Sequence, residues 1–472
     1  MKKWLKRLAI LLVVIVSIPI IMLAIIIGAY KHTVSKEPGN LDVSAAPAPL
    51  GSHVNPFIGT GGVPWLCAHN TPAASTPFGM ARPGPDTASL FINHEAFNYC
   101  GYYFGDNKII GFSNTRMPGA GGLKGGNLRV FPTTLDAAPA KRVELPFARF
   151  SHEHEKAFPG YYGVWLPKNN ILAELTATPR VALHRYTFRG GSTPFLFFDV
   201  TSAMGDNSCG ESYFVVHPET NEIEGKANAF RGVADVHDGP GLCFVARFSK
   251  PFISSTVWVD KSLRTDADGA TGSDIGVYLG FKGSVPETVV EMRLALSSVS
   301  IANARENLET EAAGSSFEEV LETAKEAWEG CLNRIRIQGG SPAQQEMFYT
   351  ALYRNFQVPT NFTDVNGSYT GFDRQTHIAD GFTYYTDFSL WDTFRTTHPL
   401  YNLIARDEQR DMMKSLLEMA KVGGSFPRWP YGCTYSGSMF GTPADMTVTE
   451  AYLKGIRDFD IETAYAFLRR TA

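Results

Sequence analysis

The sequence predicts a multidomain chain in which a β-sandwich precedes a helical part, with one membrane-spanning helix at the N-terminus. Three observations support this fold class. Residues 51–300 consist largely of short apolar runs separated by Gly, Pro, Asn and Asp, the pattern of a sandwich of many strands. From residue 315 onward, apolar residues recur at helical spacing. Ahead of both parts lies an uncharged run from Leu8 to Tyr30.

The N-terminal run is long enough to cross a bilayer, since a membrane helix needs about 20 apolar residues. Basic residues precede it and should stay on the cytoplasmic side, so the sequence predicts a membrane anchor with the rest of the chain exported, periplasmic or extracellular. A cleaved signal peptide is the alternative and would leave a secreted chain. Its apolar region is usually shorter, about 7–15 residues, and IIIGAYKHTV is a poor cleavage site.

Strand patterns fill the N-terminal half after a linker rich in Pro, Ala and Ser. The runs TPFLFFDVTS, GLCFVARFSK and SDIGVYLGFK are typical of strands, and TVVEMRLALSSVS alternates at period two over part of its length. Helical patterns then take over. SSFEEVLETAKEAWEGCLNRIRI has Ser315 or Ser316 as its N-cap, and SPAQQEMFYTALYRNFQ has Ser341 as cap with Pro342 at its first helical position. Three later segments are also predicted helices, which makes the C-terminal part all-α: LYNLIARDEQRDMMKSLLEMAKVGG, TPADMTVTEAYLKGI and DFDIETAYAFLRR.

The last predicted helix has an apolar face, and no later segment follows to cover it. We therefore expect the chain to be cut off within its helical domain. The predicted divisions are a basic stub (1–7), a transmembrane anchor or signal (8–30), a linker (31–50), a β-sandwich domain (51–305), linker helices (306–340) and an incomplete helical domain (341–472).

Composition narrows the possible functions. The net charge is −4 at pH 7 and no basic run follows the N-terminus, which makes nucleic acid a poor candidate partner. Aromatic residues make up 12%, enough to suit stacking on sugar rings, although aromatics more often build the core. None of the six cysteines forms a C-x-x-C pair, which argues against a zinc ribbon. Disulfides and buried free thiols both remain open.

Two segments combine Trp with Arg. YYTDFSLWDTFRTTHPL places Trp391, Asp392 and Arg395 within five positions, and SFPRWPYGC places Arg428 and Trp429 between two prolines. The prolines should hold that Trp rigidly outside a helix. A rigid Trp beside an Arg suits a polar ring with apolar faces, such as a sugar. A loop anchor is the alternative, but the repeated pairing favours a sugar site.

Two further segments are candidate metal ligands. Asn55, in HVNPFIGTGG, offers a hard oxygen of the kind that Ca²⁺ prefers, although a simple turn accounts better for these residue types alone. His152 and His154, in SHEHEKAFPGYYGVWL, would share one face of a strand and chelate a metal. Because no third ligand is nearby, the metal interpretation of the histidines is the weaker one.

Eight segments follow one another in order: VNPFIGTGG, STPFGMARPGPDT, GFSNTRMPGAGG, FSHEHEKAFPGYYGVWL, LTATPRVALHRYTF, LWDTFRTTHPL, FPRWP and AYLKGI. Together they resemble glycoside hydrolase family 92, the calcium-dependent α-mannosidases, from residue 52 to the C-terminus. The resemblance implies a β-sandwich domain, linking helices and an (α/α)6 barrel, of which this chain would hold the start. It also implies Ca²⁺ as cofactor and inverting hydrolysis of α-mannosidic bonds, mostly 1,2-linked, in mannose-containing glycans.

The resemblance assigns residues to a mannose subsite, in which Asp392 would accept hydrogen bonds from sugar hydroxyls and Arg395 would orient that acid. Asn55 would reach the site from the sandwich domain, beside the calcium. The implied substrate-binding residues are Trp391, Asp392, Arg395, Arg428, Trp429 and, as a weaker candidate, Asp445.

The resemblance also has gaps. The family's catalytic acid lies in a Glu-Gly-Asn-Ala-Trp-Gln-Tyr-like segment and its base in an Asp-Cys-Gly-Gln-Met-like segment, and neither occurs here. No catalytic residue is therefore assigned, and the chain alone is expected to bind mannose weakly without hydrolysis. Asn114-Thr115-Arg116 replaces the usual His-Thr-His, and Asn127 replaces an Asp, which puts the linkage preference in doubt. The alternatives are a non-catalytic, membrane-anchored sugar-binding protein and another hydrolase or phosphorylase that combines a sandwich with an (α/α)6 barrel.

Overall fold

Strands dominate the chain up to residue 297, and helices dominate after it. The computed structural model describes residues 2–34, 41–62, 69–88, 100–119, 125–136, 143, 145–203, 209–228 and 241–471. The strands of the first part are β1 (Gly84–Thr87), β2 (Lys108–Ser113), β3 (Arg129–Thr133), β4 (Ala148–Arg149), β5 (Glu155–Phe158), β6 (Tyr161–Leu166), β7 (Ile171–Ala177), β8 (Val181–Arg189), β9 (Phe195–Asp199), β10 (Ser212–His217), β11 (Glu222–Asn228), β12 (Gly241–Phe248), β13 (Phe252–Val259), β14 (Ser262–Arg264), β15 (Gly269–Gly272), β16 (Ile275–Phe281) and β17 (Glu287–Ser297).

These strands form two antiparallel sheets. One has eight strands in the order β1-β2-β3-β9-β16-β13-β14, with β4 paired to β2, and the other has nine in the order β15-β10-β11-β12-β17-β8-β7-β6-β5. Aromatic side chains fill the space between them: Trp258 stacks on Phe197 with ring centroids 4.6 Å apart, and Phe198 meets Phe244 edge-on at 5.7 Å. Each such buried side chain contributes about 1.5–3 kcal/mol to stability. The predicted β-rich N-terminal part agrees with this architecture.

Helices occupy most of the second part, and their caps match the sequence signals. Ser316 caps α3 and Ser341 caps α4, each in a capping box with the residue three positions later. The helix Arg406–Gly423 is capped by Gly424, whose φ of 85° is the left-handed conformation that glycine adopts without strain. The helices are α1 (Lys2–Val34), α2 (Ile301–Glu311), α3 (Phe317–Leu332), α4 (Pro342–Asn355), α5 (Leu390–Thr393), α6 (Thr397–Ile404), α7 (Arg406–Gly423), α8 (Pro443–Leu453) and α9 (Ile461–Thr471).

The prediction of a transmembrane helix was wrong. The N-terminal segment does form a helix, α1, but among the described residues no helix has the length and apolarity that a membrane crossing requires.

The prediction of an all-α C-terminal part was also wrong, because short strands lie between the helices. Three two-stranded ladders occur, formed by segments in which Gly, Asn and Pro interrupt the helical pattern. Their strands are β18 (Thr360–Asn361), β19 (Ser368–Thr370), β20 (Thr376–Ile378), β21 (Tyr385–Thr386), β22 (Pro430–Tyr431) and β23 (Thr434–Tyr435). The C-terminal part is therefore mixed. The strands β18 to β21 precede Trp391, and β22 begins directly after Trp429.

Side chains of the C-terminal part donate hydrogen bonds to backbone oxygens of the N-terminal part. The indole of Trp328 donates to the carbonyl oxygen of Ser75 at 2.6 Å. Arg354 donates to the carbonyl oxygens of Pro56 and Ile58 at 2.6 and 3.0 Å, which anchors the loop after residue 53 to α4. Each of these bonds satisfies backbone oxygens that a loop would otherwise leave unpaired.

Candidate functional site

A chain of hydrogen bonds joins the two Trp-Arg segments. The Nε1 of Trp429 donates to the Oγ of Ser389 at 2.6 Å, and the Ser389 hydroxyl in turn donates to the Oδ2 of Asp392. Ser389 immediately precedes α5, whose single turn carries Trp391 and Asp392. Trp429 is buried, whereas Asp392 is exposed. The arrangement therefore presents one carboxylate to solvent beside a half-buried Trp ring.

Arg395 contacts aromatic rings rather than the acid that it was expected to orient. Its guanidinium lies 4.7 Å from the ring centroid of Trp391 and 4.5 Å from that of Phe394. Such cation–π contacts contribute about 0.5–1 kcal/mol at exposed sites. Among the described contacts of Asp392, the side-chain partner is Ser389, so sequence reasoning missed the residue that orients this acid.

The other predicted sugar-binding residues surround this cluster unevenly. Arg428 is exposed, and its Nη1 donates to the carbonyl oxygen of Met439 at 2.8 Å. Trp429 packs with Met117 and Tyr431 in a small apolar cluster, so its ring also serves as a loop anchor. Asp445 lies half-buried in the first turn of α8, where the helix dipole favours a carboxylate in any case.

A buried charged group lies near these residues and was not predicted. Asp387 accepts a hydrogen bond from the Gly432 amide at 2.8 Å and has a φ of 62°, a strained value for a residue other than glycine. Burial lowers the pKa of Arg82 to about 10, and the nearby Asp387 and Tyr431 act in the opposite direction. Burial raises the pKa of Tyr431, and the charge of Asp387 adds to that rise. Sequence reasoning missed Asp387 because residue type alone indicates neither its left-handed backbone nor its burial.

Asn55 forms a turn rather than a cation site. Its Oδ1 accepts from the Phe57 amide at 3.0 Å and its Nδ2 donates to the Oε1 of Glu346 at 2.9 Å. Its main-chain oxygen accepts from the Ile58 amide at 3.2 Å. Calcium takes about 6–8 oxygens. Within the described part of the chain no group of three His, Cys, Asp or Glu side chains is placed to hold a metal, so these residues do not fit Ca²⁺.

The two histidines do not share a face. They lie on a short 3-10 turn from His152 to His154, in which His152 is buried and His154 exposed, so the strand assumed for chelation is absent at this point. His152 instead pairs with the fully buried Glu155 at 2.6 Å. The Tyr102 and Tyr162 hydroxyls also donate to that carboxylate. The cluster is a buried polar network in the sandwich, in which the Nε2 of His152 has no described hydrogen-bond partner.

The residues that depart from the family pattern have structural partners. Arg116 is fully buried and forms an ion pair with Asp86. Asn114 accepts a hydrogen bond from His184 at 2.7 Å, and burial lowers the pKa of His184 to about 3. The five described cysteines are buried free thiols, and Cys67 lies outside the described residues.

Comparison with protein families matches both parts of the chain. The glycosyl hydrolase family 92 N-terminal domain matches residues 53–297, and the glycosyl hydrolase family 92 catalytic domain matches residues 303–472. The prediction that the helical part is only the start of a barrel was therefore wrong, because residues 303–472 match the catalytic domain. A comparison with curated proteins found no match.

Solved structures with the same fold include two bacterial enzymes. The family GH92 α-mannosidase BT3965 from Bacteroides thetaiotaomicron is 28% identical, with a TM-score of 0.81, and a second structure of it holds mannoimidazole. The family GH92 inverting mannosidase BT2199 from Bacteroides thetaiotaomicron is 25% identical, with a TM-score of 0.77. Both alignments cover 90% of this chain but only 57% and 55% of the other chains. The chain thus spans a little over half the length of these enzymes.

Proposed function

The chain belongs to glycosyl hydrolase family 92, and we propose that within this mannosidase-like family it binds the terminal mannose of α-mannosides at Trp391 and Asp392. The observation that carries the proposal is the hydrogen-bonded chain from Trp429 through Ser389 to Asp392. This chain of bonds fixes the exposed Asp392 carboxylate beside the ring of Trp391. A carboxylate can accept hydrogen bonds from sugar hydroxyls, and a Trp ring can cover the apolar face of the sugar.

Inverting hydrolysis of α-1,2-mannosides is the reaction that we propose. Such a reaction needs two carboxyl groups about 6.5–9.5 Å apart, one to protonate the leaving oxygen and one to activate water. Asp392 receives the Ser389 hydroxyl and is exposed, which suits it to binding and orientation rather than to either role. We assign no acid or base among the described residues, and the proposal for this chain is limited to the binding of mannose.

Calcium dependence and export are separate proposals. The family resemblance supports Ca²⁺, but the described oxygens around Asn55 do not fit it, so no step is assigned to the ion. When bound in such an enzyme, Ca²⁺ would hold sugar hydroxyls. Export, to the periplasm or the extracellular space, rests on the basic and apolar N-terminal sequence.

The test is incubation of the chain with α-1,2-mannobiose, with free mannose measured and binding measured in parallel. Binding without mannose release supports the mannose-binding proposal and leaves the chain as a sugar-binding protein. If mannose is released and Asp392→Asn raises the KM of that reaction, the result supports the proposed site. It would also show that carboxylates of this chain suffice for hydrolysis. Absence of both binding and release would overturn the proposal.

A further inference from the structure

A cavity lies in the sandwich domain, and its lining shares no residue with the Trp391 site, which consists of Ser389, Trp391, Asp392 and Trp429. Its volume is about 580 Å³, within the range of pockets for small ligands. It lies at the carboxyl end of β9, where Asp199 ends the strand and Thr201 and Ser202 follow it. The turn that contains Ser273 and Asp274, ahead of β16, forms another wall.

Hydrogen bonds hold the walls of this cavity in place. The Oγ of Ser202 accepts from the Arg129 amide and donates to the Gly126 carbonyl, both at 2.9 Å. The indole of Trp258 donates to the Oδ1 of Asp274 at 3.3 Å. Because these side chains already have partners, the cavity is preformed, and a ligand would bind without much ordering of its walls.

The charges in the cavity balance. Arg129 and Lys261 supply two cations, and Asp199 and Asp274 supply two anions. Arg129 binds Asp199 through Nη2 at 2.7 Å, and within the described residues no other nitrogen of its side chain has a hydrogen-bond partner. An anionic ligand would be repelled by the two carboxylates, and a cationic ligand would be repelled by Arg129 and Lys261. A neutral molecule that both donates and accepts meets no such repulsion.

Apolar side chains complete the lining, among them Leu145 and the almost fully buried Trp258. Carboxylates and a guanidinium around an apolar patch suit a ring with hydroxyls on its edge and C–H groups on its face. We propose that this cavity is a second binding site, for a short neutral oligosaccharide. It does not depend on the mannose-binding proposal for Trp391.

A run of contacts links this cavity to the Trp391 site. The Nδ2 of Asn127 donates to the carbonyl oxygen of Ser202 at 3.1 Å, and the Thr115 hydroxyl donates to the Oδ1 of Asn127 at 2.9 Å. Two residues further along, Met117 packs on Trp429. The loop 114–119 is therefore connected to the cavity indirectly, through Asn127, and to Trp429 through Met117.

The experiment measures sugar binding by calorimetry in the Trp391→Ala chain, in which the first site is disabled. The probes are α-1,2-mannobiose and maltotriose at millimolar concentration. Ser273 is exposed at the rim of the cavity, so Ser273→Trp should block it and weaken binding at least ~tenfold, about 1.4 kcal/mol. The matched control is Thr193→Trp, at an exposed position before the opposite end of β9, which should leave affinity unchanged.

A second variant protects the test against misfolding of the first. Lys261 has a φ of 61°, which Asn tolerates, so Lys261→Asn removes the charged ammonium and its reach into the cavity without backbone strain and should weaken binding about threefold. Circular dichroism checks the fold of each variant. Binding of neither sugar to the Trp391→Ala chain, or equal binding by the Ser273→Trp and Thr193→Trp variants, would overturn the second site. If the Trp391→Ala change by itself abolishes sugar binding, the second site is overturned and the mannose-binding proposal stands.

Discussion

The indole nitrogen of Trp429 donates a hydrogen bond to the hydroxyl of Ser389 across 2.6 Å, although the two residues are 40 positions apart in the chain. Ser389 passes a hydrogen bond on to Asp392. The buried Trp thereby fixes the direction of an exposed carboxylate, and the mannose-binding proposal rests on that relationship.

Ser389→Ala should weaken α-mannoside binding about fivefold, because a typical hydrogen bond contributes about 1 kcal/mol and the loss frees Asp392 to rotate. Calorimetric titration with methyl α-mannoside measures the change. Thr393→Val is the control, because the Thr393 hydroxyl bonds the Ser389 carbonyl oxygen at 3.0 Å and not the Ser389 hydroxyl. Equal losses of affinity in both variants would mean that Ser389 acts only through the fold.

Asp392→Asn should weaken the same binding more strongly, by about 10- to 100-fold, since hydrogen bonds to charged groups contribute about 1.5–3 kcal/mol. Asp445→Asn makes the matched change at the weaker candidate, in the first turn of α8, and should cost less than threefold in affinity. The ranking of the two acids fails if the Asp445 variant loses as much affinity as the Asp392 variant.

Stability should fall as the pH drops below the ordinary pKa of histidine, and His184 contributes to that fall. Burial lowers its pKa to about 3, so the unfolded chain binds a proton near pH 6.5 that the folded chain refuses. The contribution is full above pH 6.5 and should shrink by about 2 kcal/mol at pH 5. Urea unfolding at pH 5 and pH 7 measures the difference. His184→Gln should remove that part of the pH dependence, and an unchanged difference would contradict the assignment.

The buried pair of Arg116 and Asp86 should be costly to break from one side. Arg116→Met leaves the Asp86 carboxylate uncompensated in a site where burial already raises its pKa. The expected loss is about 3–5 kcal/mol of unfolding free energy, measured by urea denaturation. Combining Arg116→Met with Asp86→Leu should restore most of it, because no buried charge is then unpaired. A double variant no more stable than the single one would contradict this account.

Asn55 should contribute little to any stabilisation of this chain by calcium. The oxygens of Asn55 already accept hydrogen bonds, so the rise in melting temperature that saturating CaCl₂ produces should differ by less than about 1 °C between the Asn55→Ala chain and the unaltered chain. EDTA-treated protein without added calcium is the reference. A rise of several degrees that Asn55→Ala abolishes would show instead that Asn55 is a ligand in this chain.

Local signals predicted the regular elements well. The capping serines Ser316 and Ser341 mark helix starts because an N-cap interaction is made within four residues, and such short-range chemistry is visible in sequence. Apolar runs marked the strands β9, β12 and β16 for the same reason. The membrane helix was wrong, and so was an all-α C-terminal part, because helical periodicity between β18 and β23 says nothing about the short ladders there.

The candidate site was predictable only in part. Trp391, Asp392 and Trp429 stood out by residue type, and the structure connects Asp392 to Trp429 through Ser389. Ser389 itself carried no signal, because its role depends on where a segment 40 residues away folds. The pairing of His152 with His154 failed for a local reason: the turn capped by Ser151 replaces the strand that chelation assumed.

The most direct test of the account is a crystal structure of this chain with mannoimidazole, the ligand found in the complex of the similar α-mannosidase. The account predicts the sugar-like ring beside Trp391, with one of its hydroxyls within hydrogen-bond distance of Asp392. A ring bound elsewhere on the chain, or a Trp391 site that stays empty at saturating ligand, would contradict it.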